Sequence, residues 1–184
     1  MNRTWIAFLR AVNVGGRKVE MARLRALLDG MGLARVRSYI ASGNVFFDAE
    51  LDTPAERAEL TATIEARLRE EFGFDIPVVL RSTDEVAAAL AAAPFDQVEL
   101  TPDTRLSIAF LSGPLTGLTL PLRSPKGEWE LLGATEGEAY LVSWRVNGRV
   151  GDNPVAALEK AFGVKGTARF FHTTEKILAA ARKP

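Results

Sequence analysis

The chain has 184 residues, of which 47% are hydrophobic and 25% charged, and its formal net charge at pH 7 is zero. This is the composition of an ordinary globular protein, and the length fits one large domain or two small ones. The lack of cysteine excludes disulfides, zinc–thiolate sites and a cysteine nucleophile, while the single histidine, His172, excludes a metal site built from several histidines. No apolar run reaches the roughly 20 residues that span a bilayer, and Arg10 and Asn13 interrupt any signal-peptide pattern. We therefore expect a soluble, cytoplasmic protein that contacts no membrane and uses no metal or cofactor.

The first half of the chain predicts the element order β-α-β-β-α-β, which is that of the ferredoxin-like plait. Short runs of branched and aromatic residues indicate the strands, and apolar residues at helical spacing indicate the helices. Gly43-Asn44 is typical of a tight hairpin between the second and third strands. The predicted elements are a strand Thr4–Leu9, a helix Met21–Met31, strands Val36–Ile40 and Val45–Asp48, a helix from Pro54 to Gly73, and a strand Ile76–Leu80.

The second half predicts the same order less regularly. Gly and Pro at close intervals indicate a loop, and Glu136-Gly137 indicates a hairpin. The predicted elements are a helix Thr83–Ala93, a strand Leu106–Leu111, a loop Gly113–Pro125, a hairpin of Glu128–Leu132 with Glu138–Trp144, a helix from Asn153-Pro154 to Gly163, a strand Ala168–Phe171 and a helix Thr173–Ala181. We predict an α+β fold of two ferredoxin-like (α/β plait) halves in tandem, residues 1–93 and 94–184. In each half we expect an antiparallel sheet with its helices on one face.

Two polar loops are predicted to meet at one edge of the first sheet. A right-handed β-α-β crossover makes the first two strands parallel, so both strands end at the same edge. That edge carries the loop 10–18 and the turn 41–44. The amides, hydroxyl, cations and free backbone N–H groups collected there suit a phosphate or carboxylate. The predicted ligand-binding residues at this edge are Arg10, Asn13, Gly15, Gly16, Lys18, Ser42, Gly43 and Asn44.

Each of these residues also has a structural explanation. The two adjacent glycines suit a turn with positive φ, Asn13 suits a loop cap, Ser42 suits a bond to the backbone, and Arg10 suits an ion pair. The segment Gly15–Lys18 lacks the spacing of a P-loop and of a dinucleotide-binding motif, so nucleoside triphosphate binding is unsupported. No nucleophile–base pair is legible, which leaves open whether the protein is an enzyme.

Charge is unevenly distributed along the chain. Residues 1–40 contain eight Arg and Lys against two acidic residues, and residues 41–85 contain four Arg against eleven acidic residues. A basic segment can steer an anion, but it can equally pair with an acidic neighbour. The pI near 6.6 argues against nucleic acid as a general partner. The alternative function is a homodimeric interaction module without catalysis, formed through a sheet edge or the segment 106–122, so we expect a monomer or a homodimer.

The motifs Leu9-Arg10-Ala11-Val12-Asn13-Val14-Gly15-Gly16 and Ser42-Gly43-Asn44-Val45 resemble those of a widespread bacterial family known as a domain of unknown function. The resemblance implies a small α+β protein of two plait-like halves and no established activity. Members of that family end in a Thr-x-Arg-Asn-Trp-x-Thr segment. In this chain Thr167, Arg169 and Thr173 match that segment, whereas Phe170, Phe171 and His172 depart from it. Arg169 and Thr173 are accordingly added to the predicted ligand-binding residues.

Overall fold

The computed structural model describes residues 3–183, with Val150 described by its backbone alone. In chain order the elements are β1 (Arg3–Leu9), α1 (Met21–Gly30), β2 (Ala34–Ser38), β3 (Asn44–Ala49), α2 (Pro54–Phe72), β4 (Val78–Ser82), α3 (Thr83–Ala91), β5 (Thr104–Leu111), β6 (Leu122–Arg123), β7 (Trp129–Ala134), β8 (Glu138–Val146), β9 (Arg149–Val150), α4 (Pro154–Phe162), β10 (Gly166–Phe170) and α5 (Phe171–Ala181). All strand pairs among the described residues are antiparallel, which confirms the α+β class with antiparallel sheets. None of the helices in this range has the length and apolar character needed to span a membrane.

The chain divides into two compact units. The first contains residues 3–87 and 176–183, and the second contains residues 88–175. The sequence predicts a boundary after residue 93 and assigns the whole C-terminal helix to the second half. In the structure the divisions fall inside α3 and α5 instead. A continuous helix carries the chain across each division, so no Pro- or Gly-rich linker marks either one.

The first unit is built on a four-stranded sheet in the order β2-β3-β1-β4. One face of the central strand β1 presents Trp5, Ala7 and Leu9 to a core that also contains Leu24 of α1 and Ile64 of α2. Each of these side chains is at most 1% exposed. Alternate positions of a strand point to one face and positions four apart on a helix share a stripe, which is why these residues meet.

The ends of α2 are fixed by capping. The hydroxyl of Thr53 accepts from the amide of Glu56 at 3.2 Å, and the carboxylate of Glu56 accepts from the amide of Thr53 at 2.9 Å. This reciprocal pair is a capping box. At the other end Gly73 adopts φ 79°, the left-handed conformation that commonly ends a helix. These signals explain why the predicted bounds of α2 agree with the structure.

Helical residues also lie beside the opposite face of the first sheet, which corrects the prediction that the helices share one face. The guanidinium of Arg37 lies 5.8 Å from the ring centroid of Phe46 on that face. It donates to the carbonyl oxygens of Ala181 at 3.1 Å and Lys183 at 2.7 Å, at the end of α5. The prediction failed because a contact between β2 and a helix about 140 residues later leaves no local pattern in the sequence.

The edge strand β2 is interrupted by a bulge. Its register against β3 shifts between Ala34 and Arg37. Arg35 lies inside the bulge with φ 51° and forms an ion pair with Asp48. A bulge and a charged residue on the edge are devices that stop an edge strand from pairing with another chain.

The second unit contains a sheet in the order β10-β5-β8-β7-β6, with β9 paired to β8. Its core joins Ala109 and Leu141 of the sheet to Val155 and Leu158 of α4. Among the described residues, no helix stands between β5 and β7. The predicted loop 113–125 occupies that place and adds only the two-residue strand β6, while β9 was not predicted at all. Two-residue strands carry too few side chains to show an alternating pattern.

Candidate functional site

The loop between β1 and α1 folds as a miniature hairpin. Val14 and Arg17 form an isolated antiparallel bridge, in which the amide of Arg17 donates to the carbonyl of Val14 at 3.2 Å. Gly15 and Gly16 connect them with φ values of 61° and 84°. Positive φ at both central residues is what a type I′ turn requires and what glycine adopts without strain. The turn explanation of the two glycines is therefore supported.

Asn13 joins this loop to the turn 41–44. Its Nδ2 donates to the carbonyl oxygen of Ala41 at 2.6 Å, and its Oδ1 accepts from the amide of Val19 at 2.9 Å. Its own amide donates to the carbonyl of Arg17 at 2.8 Å, and its φ is 57°, a value that asparagine tolerates better than most residues. The two segments are thus in direct contact, as the strand topology predicts. The side-chain amide of Asn13 is used to hold them together.

Gly43 packs the turn directly against β1 and its loop. A Cβ at this position would lie 2.5 Å from Cγ2 of Val12 and 2.9 Å from Cβ of Leu9. The carbonyl of Gly43 accepts from the amide of Leu9 at 2.8 Å, and its φ is 78°. Both the close approach and the backbone conformation therefore require glycine.

Asn44 and Ser42 organise the turn from within. Asn44 is fully buried and lies opposite Phe8 in the sheet. Its Nδ2 donates to the carbonyl of Tyr39 at 3.2 Å and to the hydroxyl of Ser42 at 3.0 Å. The hydroxyl of Ser42 thus accepts from a side chain of the same turn, while the predicted bond of Ser42 to the backbone stays a prediction.

Three cationic residues belong to the loop 10–18. The backbone amide of Arg10 donates to the carbonyl of Pro77 at 2.9 Å, and its side chain is half-buried. The guanidinium of Arg17 lies 5.5 Å from the ring centroid of Phe74. Arg17 and Lys18 are exposed, and neither has an ion-pair partner among the described residues. They add two positive charges to the rim of the loop.

The backbone of the loop presents unused donors. The amides of Gly15 and Gly16 are in exposed residues and donate to no protein acceptor within residues 3–183. Exposed backbone N–H groups in a glycine turn are donors that an anion can use.

The start of α1 lies just after this loop. Glu20 occupies the N-cap position and makes no side-chain hydrogen bond to the helix. The first turn of α1 contains no acidic residue. A helix start without such a cap keeps partial positive charge, which adds to that of Arg17 and Lys18 and is opposed by the carboxylate of Glu20.

Arg169 and Thr173, the remaining predicted site residues, belong to the second unit. Arg169 lies in β10 opposite Ile108 and is 9% exposed. Its Nη1 donates to the hydroxyl of Thr167 at 2.7 Å and to the carbonyl of Ala168 at 2.9 Å. Burial lowers the pKa of Arg169 to about 10, which leaves it a cation at neutral pH. Thr173 lies half-buried in the first turn of α5.

The second unit contains a separate cleft of about 360 Å³ on the sheet face opposite its core. The loop 97–104 forms one wall, and the side chains of Leu132, Val142 and Trp144 form the floor. Glu130 also lines the cleft, and its carboxylate is paired with the guanidinium of Arg123 at 3.0 Å. None of the described residues group as three or more metal-ligating side chains in this cleft or elsewhere.

Three residues of the first unit's loops lie at the surface and are not among the predicted site residues. Arg17 belongs to the charged rim, and Val14 and Ile40 expose large apolar side chains on it. The Gly-Gly pair between Val14 and Arg17 is itself a hairpin signal, and it would have placed both side chains at the tip. Nothing in the local sequence indicates that Ile40 is exposed, because its branched side chain extends an apolar strand pattern.

The chain belongs to the family described as "Protein of unknown function (DUF1697)", whose model matches residues 1–140. The predicted membership of a domain-of-unknown-function family is therefore confirmed, while the two motifs stay a prediction. The chain is also similar to a solved structure, that of conserved bacterial protein SP0830 from Streptococcus pneumoniae. The likeness covers 99% of this chain and 100% of that chain, with a TM-score of 0.68 and 22% sequence identity, so it shows the fold alone. A comparison with curated proteins finds no match.

Proposed function

We propose that the first unit binds a small anion, a phosphate or a carboxylate, on the glycine-loop surface, which we define as residues 10–18 and 41–44. The observation that carries the proposal is the pair of exposed Gly15 and Gly16 amides beside the cations Arg17 and Lys18. Backbone N–H groups and flanking cations are the donors that oxyanions prefer.

Hydrogen bonds and packing join the two loops of this surface without a ligand. Asn13 ties the loop to Ala41 and Val19, and Gly43 packs against Val12. A binding site that needs no ordering keeps more of its contact energy as affinity. The side chains of Asn13 and Asn44 therefore support the site by positioning it, while the amides and cations make the contacts.

Titration with inorganic phosphate, followed by NMR of the backbone amides, tests the proposal. We expect the amide signals of Gly15 and Gly16 to shift in a saturable way. The double variant Arg17→Gln/Lys18→Gln should weaken binding roughly tenfold, since each exposed charge contact contributes up to about 1 kcal/mol. Arg67→Gln/Lys176→Gln, which removes the same charge from exposed positions of the same unit, should leave the affinity nearly unchanged. An equal loss of phosphate affinity in both double variants would show that binding depends on net charge alone and not on this surface.

The alternative, a homodimer formed by strand addition, is less well supported. Of the two edges of the first sheet, β2 carries the bulge at Arg35, and β4 follows Pro77. Both features disfavour pairing with another strand. A dimer in light scattering that survives substitution of the glycine-loop surface would favour this alternative.

We also propose that both units are ferredoxin-like plaits in tandem. The first sheet has the order β2-β3-β1-β4, and the second has β7-β8-β5-β10 when read in the same direction. These orders correspond strand for strand, with α4 in the place of α2. The loop between β5 and β7 takes the place of α1.

A further inference from the structure

The glycine-loop surface has an apolar side as well as a cationic one. Val14 is 65% exposed and Ile40, next to the turn, is 49% exposed. Among the described residues of the first unit, these two are the only large hydrophobic side chains that are exposed. Single exposed apolar residues are common on protein surfaces, but both of this unit's examples flank the same pair of loops.

A hydrogen bond between Asn13 and Ala41, which we call the clamp, joins the two loops next to Val14 and Ile40. Val14 follows Asn13 directly, and Ile40 precedes Ala41, whose carbonyl accepts from Asn13 at 2.6 Å. The clamp therefore joins the residue beside Val14 to the residue beside Ile40. The Gly15 and Gly16 amides lie at the tip next to Val14.

Ile40 is held in an unfavourable backbone conformation. Its φ is 51°, in the left-handed region where a branched side chain crowds the backbone. Glycine or asparagine would make the same turn with less strain. Strained residues of this kind concentrate where a protein binds ligands, so an exposed isoleucine at this position points to a contact that uses its apolar side chain.

We propose that the anion bound by the glycine-loop surface carries an apolar body of a few carbon atoms, as an alkyl or aryl phosphate or carboxylate does. This inference rests on the proposed function, since it assigns the head group to the Gly15 and Gly16 amides with Arg17 and Lys18. The apolar body lies on Val14 and Ile40. When the apolar part of the ligand covers Val14 and Ile40, both side chains are removed from water. This favourable contribution to the binding free energy is absent for inorganic phosphate.

A homologous series of ligands measures the apolar contribution. Inorganic phosphate, ethyl phosphate, butyl phosphate and hexyl phosphate share one head group and differ only in chain length. We expect the affinity of the parent protein to rise between about twofold and fourfold for each methylene that reaches the surface. The series should then level off once the chain extends beyond Ile40.

The double variant Val14→Thr/Ile40→Asn should abolish this dependence on chain length, so that the alkyl phosphates bind it with nearly equal affinity. Asparagine suits the φ of Ile40, so the variant is expected to fold. The matched control is Val146→Thr/Leu100→Asn, which changes two exposed apolar residues of the second unit, 42% and 70% exposed. It should keep the dependence on chain length of the parent protein.

Three results would overturn the inference. If phosphate binds and affinity does not change along the series, the apolar side is not used, while the proposed function stands. If affinity rises along the series but Arg17→Gln/Lys18→Gln has no effect on any member, the site takes apolar molecules without an anionic head, and both proposals fail. If Val14→Thr/Ile40→Asn converts a dimer to a monomer in light scattering without changing the series, these residues form a contact between two copies of the chain.

Discussion

The guanidinium of Arg37 donates from Nη2 to the carbonyl oxygen of Ala181, 3.1 Å away and 144 residues later in the chain. A second bond runs from Nη1 to the carbonyl of Lys183 at 2.7 Å. The last carbonyls of a helix have no partner within the helix, and a cation is favoured there by the helix dipole. Arg37, which lies on a strand distant in sequence, therefore caps the end of α5.

Replacing Arg37 with glutamine should destabilise the protein. The loss should be about 1.5–3 kcal/mol, the range for hydrogen bonds to a charged group, and it is measured by urea unfolding. Hydrogen exchange should accelerate first at the end of α5. The control is Arg67→Gln, which breaks an exposed pair with Glu70 at 3.0 Å and should cost no more than about 0.5 kcal/mol. Equal losses for the two variants would contradict a capping role for Arg37.

Gly43→Ala should be strongly destabilising because two costs coincide. Left-handed backbone costs a residue with a Cβ about 1–2 kcal/mol. The contacts of that Cβ at 2.5 Å and 2.9 Å add about 1–3 kcal/mol of overpacking. Gly73→Ala isolates the first cost, since Gly73 has φ 79° and an added Cβ there meets no atom within 4 Å. If both variants unfold at the same urea concentration, the packing of Gly43 on Val12 contributes nothing.

Asn13→Ala removes the clamp between the loop and the turn. We expect a loss of about 1–3 kcal/mol for the two side-chain bonds, measured by chemical denaturation. Asn147 provides the comparison, because it has a similar φ of 53° and no side-chain hydrogen bond among the described residues. Asn147→Ala should therefore cost less than about 1 kcal/mol. Phosphate affinity should fall in Asn13→Ala, because the rim it positions is no longer fixed.

Acid should weaken the first unit partly through Asp48. The Arg35 guanidinium and the Thr4 hydroxyl bond this carboxylate and hold its pKa below the ordinary value. The unfolded chain then takes up the proton first as pH falls, so the stability that Asp48 contributes is complete above about pH 5 and declines below it. Asp48→Asn should reduce the slope of stability against pH in that acidic range and lower stability at pH 7. Asp29→Asn, on the exposed surface of α1, controls for the lost charge. A parent-like slope in Asp48→Asn would rule out this contribution.

Local signals predicted the first unit better than the second. Pro54 marks the start of α2 because proline has a fixed φ that suits the first helical turn. Gly73 marks its end because glycine adopts the positive φ of the C-cap without strain. In the second unit β6 and β9 are too short for any pattern, and the predicted strand Ala168–Phe171 ends one residue earlier because Phe171 begins α5.

The contact between the two loops was predictable, but its chemistry was not. Strand direction alone places the loops at one edge. The partner of Asn13, however, is a backbone carbonyl 28 residues away, and any residue could supply it. Ile40 was predicted as the end of a strand, whereas β2 ends at Ser38 and Ile40 is left-handed. Tertiary contacts overrode the strand preference of a branched residue at that point.

The central position of β1 has a consequence for how the chain is made. Trp5 pairs with Phe47 on one side and with Ser82 on the other, so β1 needs partners that are synthesised later than β1 itself. At about 5–20 residues per second, the ribosome delivers β4 roughly 4–15 s after β1. β3 emerges earlier and can pair with one side of the apolar run Ile6–Leu9, but the other side has no partner until β4 follows. We expect a chaperone to bind this run in the nascent chain until β4 completes the central pairing of β1.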